Sequence, residues 1–129
     1  MKHIKRLPSA ELNIMLILWQ TNQPVTSTYV MNQLEASQNK KLAITSVLTL
    51  LSRLNEKGFV HIEKNGKSNV YTPLISEETY SRLESQTVLE RFYGNSLTSL
   101  VSSLVRSDDI TKEDLDELRS YLNELHKED

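Results

Sequence analysis

Short hydroxyl side chains and a single arginine recur on one side of the helical pattern in residues 42–57. Thr45, Ser46 and Thr49 precede Arg53 by less than three turns. Hydroxyl and guanidinium groups form hydrogen bonds with base edges and phosphates, and short side chains let a helix approach a groove closely. This stretch therefore favours a DNA-reading helix, although an ordinary amphipathic helix with a threonine-rich surface would show the same pattern.

The other side of the same stretch is apolar and would anchor it in a protein core. At about 100° per residue the apolar residues separate from the hydroxyls, with Leu48 at the border. The core-facing residues are Ile44, Val47, Leu50, Leu51 and Leu54. Gly58 suits the left-handed position that ends a helix, so we predict a helix over about residues 42–57.

Two shorter helices are predicted before this one. Ser9 can begin the first, in which Trp19 serves as a core anchor, and Thr26 or Ser27 can begin the second. Lys40 and Lys41 follow the second helix, where they could contact phosphates. Loop lysines are more often simply solvated, and the sequence leaves both interpretations open.

After Gly58 the apolar pattern changes from helical to alternating. Asn65-Gly66 is a strong hairpin signal, with Lys67 at its tip and Tyr71 on the returning strand. Three helices and a hairpin with a basic tip are typical of a winged helix-turn-helix, whose third helix enters the major groove while the hairpin lies on the DNA backbone. A hairpin that only covers the core is the alternative.

The charges divide the chain into two regions. Residues 1–75 contain nine lysines and arginines against four acidic residues, a balance of +5. Residues 76–129 contain six against thirteen, a balance of −7. A basic region followed by an acidic one predicts a polyanion-binding domain over 1–75 and a region with a different task over 76–129.

The acidic region is predicted to form three slim amphipathic helices, beginning near Ser76, Ser96 and Thr111. Such helices bury their apolar faces poorly on their own, so we expect them to pair with a second copy of the chain. Packing back onto the N-terminal domain is the alternative. The predicted interface residues are Leu83, Phe92, Leu100, Leu104, Leu115, Leu118 and Leu122. The expected fold is mainly α with a small β-hairpin: an N-terminal winged helix-turn-helix followed by a C-terminal helical dimerisation region.

Several classes of protein are disfavoured. The chain has no cysteine, which excludes disulfides and thiolate metal sites. Its histidines, His3, His61 and His126, lie far apart, and no phosphate-binding glycine motif is present. We therefore expect no catalysis, no cofactor and no metal site. The longest nearly unbroken apolar run, residues 14–19, is far too short to cross a bilayer. The lack of cysteine makes a cytoplasmic location the default expectation.

The chain resembles the penicillinase-repressor (BlaI/MecI/CopY) family of bacterial winged-helix repressors over nearly its whole length. The matching segments are Ala10-Glu11-Leu12 with Leu18-Trp19, Thr45-Ser46-Val47 with Lys57-Gly58, Val70-Tyr71-Thr72-Pro73, and Leu89-Glu90-Arg91-Phe92-Tyr93-Gly94. The resemblance implies a homodimeric repressor that binds an inverted repeat in double-stranded DNA. It implies that Thr45, Ser46 and Thr49 face base edges. The residues that it assigns to phosphates or to support of the hairpin are Lys41, Arg53, Lys67 and Tyr71.

The sequence also departs from that family. Leu42-Ala43-Ile44 stands where a large residue followed by Ser-Pro often opens the third helix, which bears on the bases that are read. Copper sensing through paired Cys-x-Cys motifs is excluded by the lack of cysteine. Ser103-Leu104 replaces the Asn-Phe bond at which β-lactam-responsive members are cleaved. The inducer, and with it a regulatory protease as a partner, therefore stays open. A winged-helix module that binds protein instead of DNA is the alternative function.

Overall fold

The computed structural model describes residues 4–127 and confirms a mainly helical fold with one hairpin. The elements in order are α1 (Ser9–Gln20), α2 (Ser27–Gln38), α3 (Ile44–Glu56), β1 (Val60–Asn65), β2 (Ser68–Pro73), α4 (Glu77–Tyr93), α5 (Leu97–Arg106) and α6 (Lys112–Lys127). None of the helices in this described range has the length and apolar character that crossing a membrane requires.

Most helix ends follow from local side-chain chemistry. The Thr26 hydroxyl accepts a hydrogen bond from the Tyr29 backbone N–H at 3.1 Å, and Ser96 does the same for Ser99 at 3.1 Å. These side chains satisfy N–H groups that have no partner inside the helix. At the other end of α3, Gly58 has the left-handed φ of 81° that the sequence predicts.

The first three helices and the hairpin enclose one hydrophobic core. Its buried apolar residues include Ile14, Met15, Leu18, Val30, Leu34, Val47, Leu51, Leu54, Phe59 and Val60. These side chains come from α1, α2, α3 and the first residues of the hairpin, so the core fixes the position of α3 from three directions.

The hairpin turn lies one residue later than the sequence predicts. Asn65 pairs with Ser68, so the two-residue turn consists of Gly66 and Lys67 instead of Asn65 and Gly66. Gly66 has a φ of 67°. A glycine at the first central position is typical of a type II′ hairpin turn. Lys67 therefore lies in the turn itself, while Asn65 belongs to the strand.

The first turns of α4 pack with the winged-helix core. Tyr80 is buried, and its ring lies 5.7 Å from that of Trp19 and 5.8 Å from that of Phe59. The Leu7 backbone N–H donates to the Tyr80 hydroxyl at 2.8 Å, and that hydroxyl donates to a Glu84 carboxylate oxygen at 3.0 Å. Burial, together with the bond to Glu84, raises the pKa of Tyr80.

These contacts locate the division between two compact units. The first unit ends at Glu84 and the second begins at Ser85, within α4. The sequence predicts a division at residue 75, where the charge balance changes. The structural unit extends further because Tyr80 completes its core.

The second unit differs in the burial of its helices. Neither α5 nor α6 contains a buried residue. Thr111 and Asp114 cap α6 reciprocally, with Thr111 N–H donating to Asp114 at 2.8 Å and Asp114 N–H donating to the Thr111 hydroxyl at 3.1 Å. The helices are thus well terminated, although their apolar faces are incompletely covered within the unit.

Candidate nucleic-acid interface

The core holds α3 so that its hydroxyl side faces solvent. Val47, Leu51 and Leu54 are fully buried, at spacings of four and three residues. Thr45, Ser46, Thr49 and Arg53 are all exposed. The structure therefore brings these four predicted DNA-contacting residues together on the accessible surface of one helix.

One of these hydroxyls has a defined hydrogen bond. The Thr49 hydroxyl donates to the Thr45 carbonyl oxygen, one turn earlier, at 2.9 Å. Because its single proton is used inside the helix, Thr49 presents its methyl group and oxygen lone pairs to a partner.

The predicted phosphate-binding cations lie on α3 and in the segments before and after it. Lys40 and Lys41 follow α2, whose end is set by Asn39 at a left-handed φ of 53°. Only Leu42 and Ala43 separate these lysines from α3. Lys40, Lys41, Arg53 and Lys67 are exposed, and within residues 4–127 none of them lies within 4.0 Å of a carboxylate. Their charge is available to a polyanion.

Lys57, at the end of α3, has a different role. Its ammonium group lies 2.6 Å from a Glu11 carboxylate oxygen, and the Glu11 side chain is only 4% exposed. This ion pair connects α1 to the end of α3 and uses the charge of Lys57 inside the protein. The two residues are 46 positions apart, and no pattern in the sequence indicates that they meet.

The hairpin is attached to the core through Tyr71. This residue is only 3% exposed, which fits support of the hairpin, the second of the two roles that the resemblance implies for it. Its backbone exchanges two hydrogen bonds with Val25, at 2.8 and 3.2 Å. Tyr71 supports the hairpin, whose exposed lysines are Lys64 on β1 and Lys67 at the turn. Asn55 adds a link from α3, because its side-chain amide donates to the Val60 carbonyl at 3.1 Å.

The predicted dimer-interface residues are incompletely covered in the single chain. Phe92 is 67% exposed and Leu122 is 46% exposed. The remaining five are half-buried: Leu83, Leu100, Leu104, Leu115 and Leu118. Leu83 precedes the boundary at Glu84 and so belongs to the first unit, unlike the other six.

An apolar groove of about 340 Å³ runs between α5 and α6 in the second unit. Leu97, Val101, Leu118 and Leu122 line it, together with Thr98 and Ser102. Leu97 and Leu122 are also exposed at its edge. Exposed apolar surface of this kind marks an interaction site more often than a solvated surface.

The described part of the chain contains no group of three or more metal-ligating side chains. His61 and His126 lie on β1 and α6 respectively, in different units, and His3 lies outside the described residues. The arrangement on α3 and the hairpin is thus one of hydrogen-bonding groups and unpaired cations, which suits binding to a polyanion.

Comparison with known proteins identifies related chains. The family model for the penicillinase repressor matches residues 7–124. The penicillinase repressor of Bacillus licheniformis is 33% identical over 127 residues, which cover 98% of this chain and 96% of that protein. The methicillin resistance regulatory protein MecI of Staphylococcus aureus (strain N315) is 27% identical over 117 residues, or 91% of this chain and 93% of that protein.

Solved structures agree on the fold of the first unit. The solution structure of the DNA-binding domain of the repressor BlaI matches with a TM-score of 0.52 and 31% identity. It covers 62% of this chain and 94% of that domain. The complex structure of hsRosR-S4 matches with a TM-score of 0.54 and 17% identity over 82% of this chain and 91% of that chain, and it supports the fold alone.

Proposed function

The chain belongs to the penicillinase repressor family, and from this premise we propose that it represses transcription as a homodimer bound to an inverted-repeat operator. In this proposal α3 lies in the major groove and the hairpin contacts the DNA backbone. The family consists of repressors, which argues against an enzyme. A cytoplasmic location follows from the proposed role.

The exposed surface of α3 is the observation that carries the DNA-binding proposal. Thr45, Ser46 and Thr49 occupy its first two turns, which is the part of a recognition helix that contacts base edges. Arg53 lies one turn after Thr49, where a guanidinium group can hold a phosphate. The direct contacts we propose therefore divide into base-reading hydroxyls and a phosphate-binding arginine.

Cations outside α3 would orient the helix on the duplex. Lys40 and Lys41 lie just before α3 and Lys67 lies at the hairpin turn, so they flank the helix in the sequence on both sides. Each exposed cation that reaches a phosphate releases counterions, and binding should therefore weaken steeply with added salt. Tyr71 supports this arrangement from the core without touching DNA.

The second unit is proposed to join two copies of the chain. Its groove between α5 and α6, with Phe92 and Leu122 exposed in the same unit, offers apolar surface to a second copy. A two-fold axis that relates the two copies would match the symmetry of an inverted repeat. Half-sites about one helical turn apart, roughly 10 base pairs, would then match the protein symmetry.

A binding titration at two salt concentrations tests the DNA-binding proposal. The chain is first used to enrich binding sequences from a random pool of duplexes. It should then bind the enriched duplexes more tightly than unselected DNA. Arg53→Ala should weaken binding to both kinds of DNA alike and lower the salt slope by about 1. Thr49→Ala and Ser46→Ala should mainly reduce the preference for the enriched sequences, because their contacts are to bases.

Two outcomes would contradict the assignment. Equal losses on enriched and unselected DNA for Thr49→Ala and Ser46→Ala would show that these hydroxyls read no bases. A chain that enriches no sequence and binds DNA without salt dependence would favour the alternative of a protein-binding winged-helix module.

The Ser103–Leu104 bond, which replaces the family's cleavage site, lies inside α5. Ser103 and Leu104 are half-buried within α5, so cleavage of the bond between them would require local opening of that helix. A regulatory protease would therefore act on an opened form of the second unit.

A further inference from the structure

One large apolar side chain lies on the exposed surface of α3. Leu48 is 42% exposed, although its neighbours Val47 and Leu51 are fully buried. Within residues 4–127, Leu42 and Leu50 from the same region are among the half-buried apolar residues packed on the core, and Leu48 is not. Leu48 therefore contributes little to the core and leaves apolar surface in water.

The residues beside Leu48 are those proposed to meet DNA. Thr45 lies three residues before it and Ser52 four residues after it, so all three adjoin on the helix surface, and all three are exposed. Leu48 also lies in the second turn of α3, within the region of a recognition helix that contacts bases. A major groove that covers Thr45 would cover Leu48 as well.

The chemistry of this surface favours one base. The major-groove edge of guanine presents two acceptors and needs hydrogen-bond donors, whereas thymine alone presents a methyl group. Leu48 has no donor, and the Thr49 hydroxyl proton is already bonded to the Thr45 carbonyl at 2.9 Å. A leucine side chain and a threonine methyl group match a thymine methyl better than they match the other base edges.

We propose that Leu48 is a specificity-determining residue that contacts the C5-methyl group of a thymine in each half-site. This inference rests on the proposed DNA-binding function and specifies one base class for it. Burial of one methyl-sized group corresponds to about a fourfold change in affinity, which sets the size of the effect.

Deoxyuridine substitution tests the proposal, since it removes only the methyl group of a thymine. The full-length chain first enriches binding sequences from a random duplex pool, and each thymine of the enriched site is then replaced in turn. The wild-type chain should lose about fourfold in affinity at one thymine per half-site. Leu48→Ala should bind the thymine and deoxyuridine duplexes equally, because the group that detects the methyl is gone.

Leu74→Ala is the matched control. It makes the same change at a leucine that is 60% exposed in the same unit but outside α3. This variant should therefore lose as much affinity as the wild type when deoxyuridine replaces the thymine. A wild-type chain that enriches a site but shows no thymine dependence would overturn this inference alone. A Leu48→Ala chain that still loses about as much affinity as the wild type on deoxyuridine substitution would also overturn it. Failure to enrich any site would overturn the proposed function together with the inference, and that failure appears before any deoxyuridine is used.

Discussion

The two compact units bury their apolar side chains to different extents. Every buried residue of the described chain lies between Leu7 and Tyr80, and residues 81–127 contain none. The second unit nevertheless exposes Leu97, Val105 and Leu125 on α5 and α6. The first unit thus completes its own core, whereas the second presents apolar surface that a partner can cover. We therefore expect the two units to obtain their stability from different sources.

Truncation of a leucine in each unit should give the largest contrast. Leu51→Ala removes a fully buried side chain and should lower the free energy of unfolding by about 3–5 kcal/mol. Leu118→Ala, in the second unit, should change the free energy of unfolding of the first unit by less than about 0.5 kcal/mol. Urea unfolding followed by fluorescence of the single tryptophan, Trp19, measures the first unit selectively. Equal shifts for the two variants would show that the units unfold together and would break the comparison.

Breaking an ion pair should lower stability much more in the first unit than in the second. Lys57→Met leaves the buried Glu11 carboxylate without its partner and should cost about 2–3 kcal/mol of stability, reduced by the 28% exposure of the Lys57 side chain. Lys127→Met breaks the Lys127–Glu124 pair, whose side chains are more than 70% exposed, and should cost less than about 0.5 kcal/mol. The same tryptophan-detected unfolding, with far-ultraviolet circular dichroism for α6, measures both. A negligible cost for Lys57→Met would mean that Glu11 is solvated in solution.

Removal of one buried hydroxyl should have a smaller effect. Tyr80→Phe leaves the Leu7 N–H without its acceptor and should lower stability by about 1–2 kcal/mol. Tyr121→Phe is the control in the second unit, because Tyr121 is 60% exposed, and it should leave the tryptophan-detected transition unchanged. If Tyr80→Phe unfolds like the wild type, the hydrogen bond between the Tyr80 hydroxyl and the Leu7 N–H does not stabilise the first unit.

The raised pKa of Tyr80 adds a pH dependence to the stability of the wild type that Tyr80→Phe lacks. Below about pH 10 the hydroxyl keeps its proton in both the folded and unfolded states, so its ionisation does not affect stability. Above that pH the unfolded chain releases the proton first, and stability should fall as pH rises. Unfolding measured between pH 8 and about 11 should show a steeper decline for the wild type than for Tyr80→Phe. Parallel declines would exclude a contribution from this hydroxyl.

Local features of both units could be predicted from the sequence. Thr26, Ser96 and Gly58 determine helix ends through bonds or backbone angles within a few residues, so their types alone indicate the boundaries. The exposure of Thr45, Ser46, Thr49 and Arg53 likewise follows from helical spacing against a buried side.

Contacts between distant residues could not be predicted in this way. Glu11 and Lys57 are 46 residues apart and Leu7 and Tyr80 are 73 apart, and no periodicity relates them. The burial of Tyr71 depends on Val25, which precedes α2 and pairs with β2. The hairpin pattern alone does not show what covers Tyr71, so it leaves open whether this side chain meets a phosphate or supports the hairpin.

We propose that the first unit binds DNA and that the second unit pairs two copies of the chain. DNA binding by a chain whose second unit cannot pair tests this proposal most directly. Leu118→Glu/Leu122→Glu places two charges in the groove between α5 and α6, where an apolar interface would exclude them. Wild type and variant are titrated with duplexes that carry the enriched inverted repeat or only one half-site. The wild type should prefer the repeat by at least about 100-fold, whereas the variant should bind both duplexes with the half-site affinity of the wild type. A variant that keeps the wild-type preference for the inverted repeat would contradict the account.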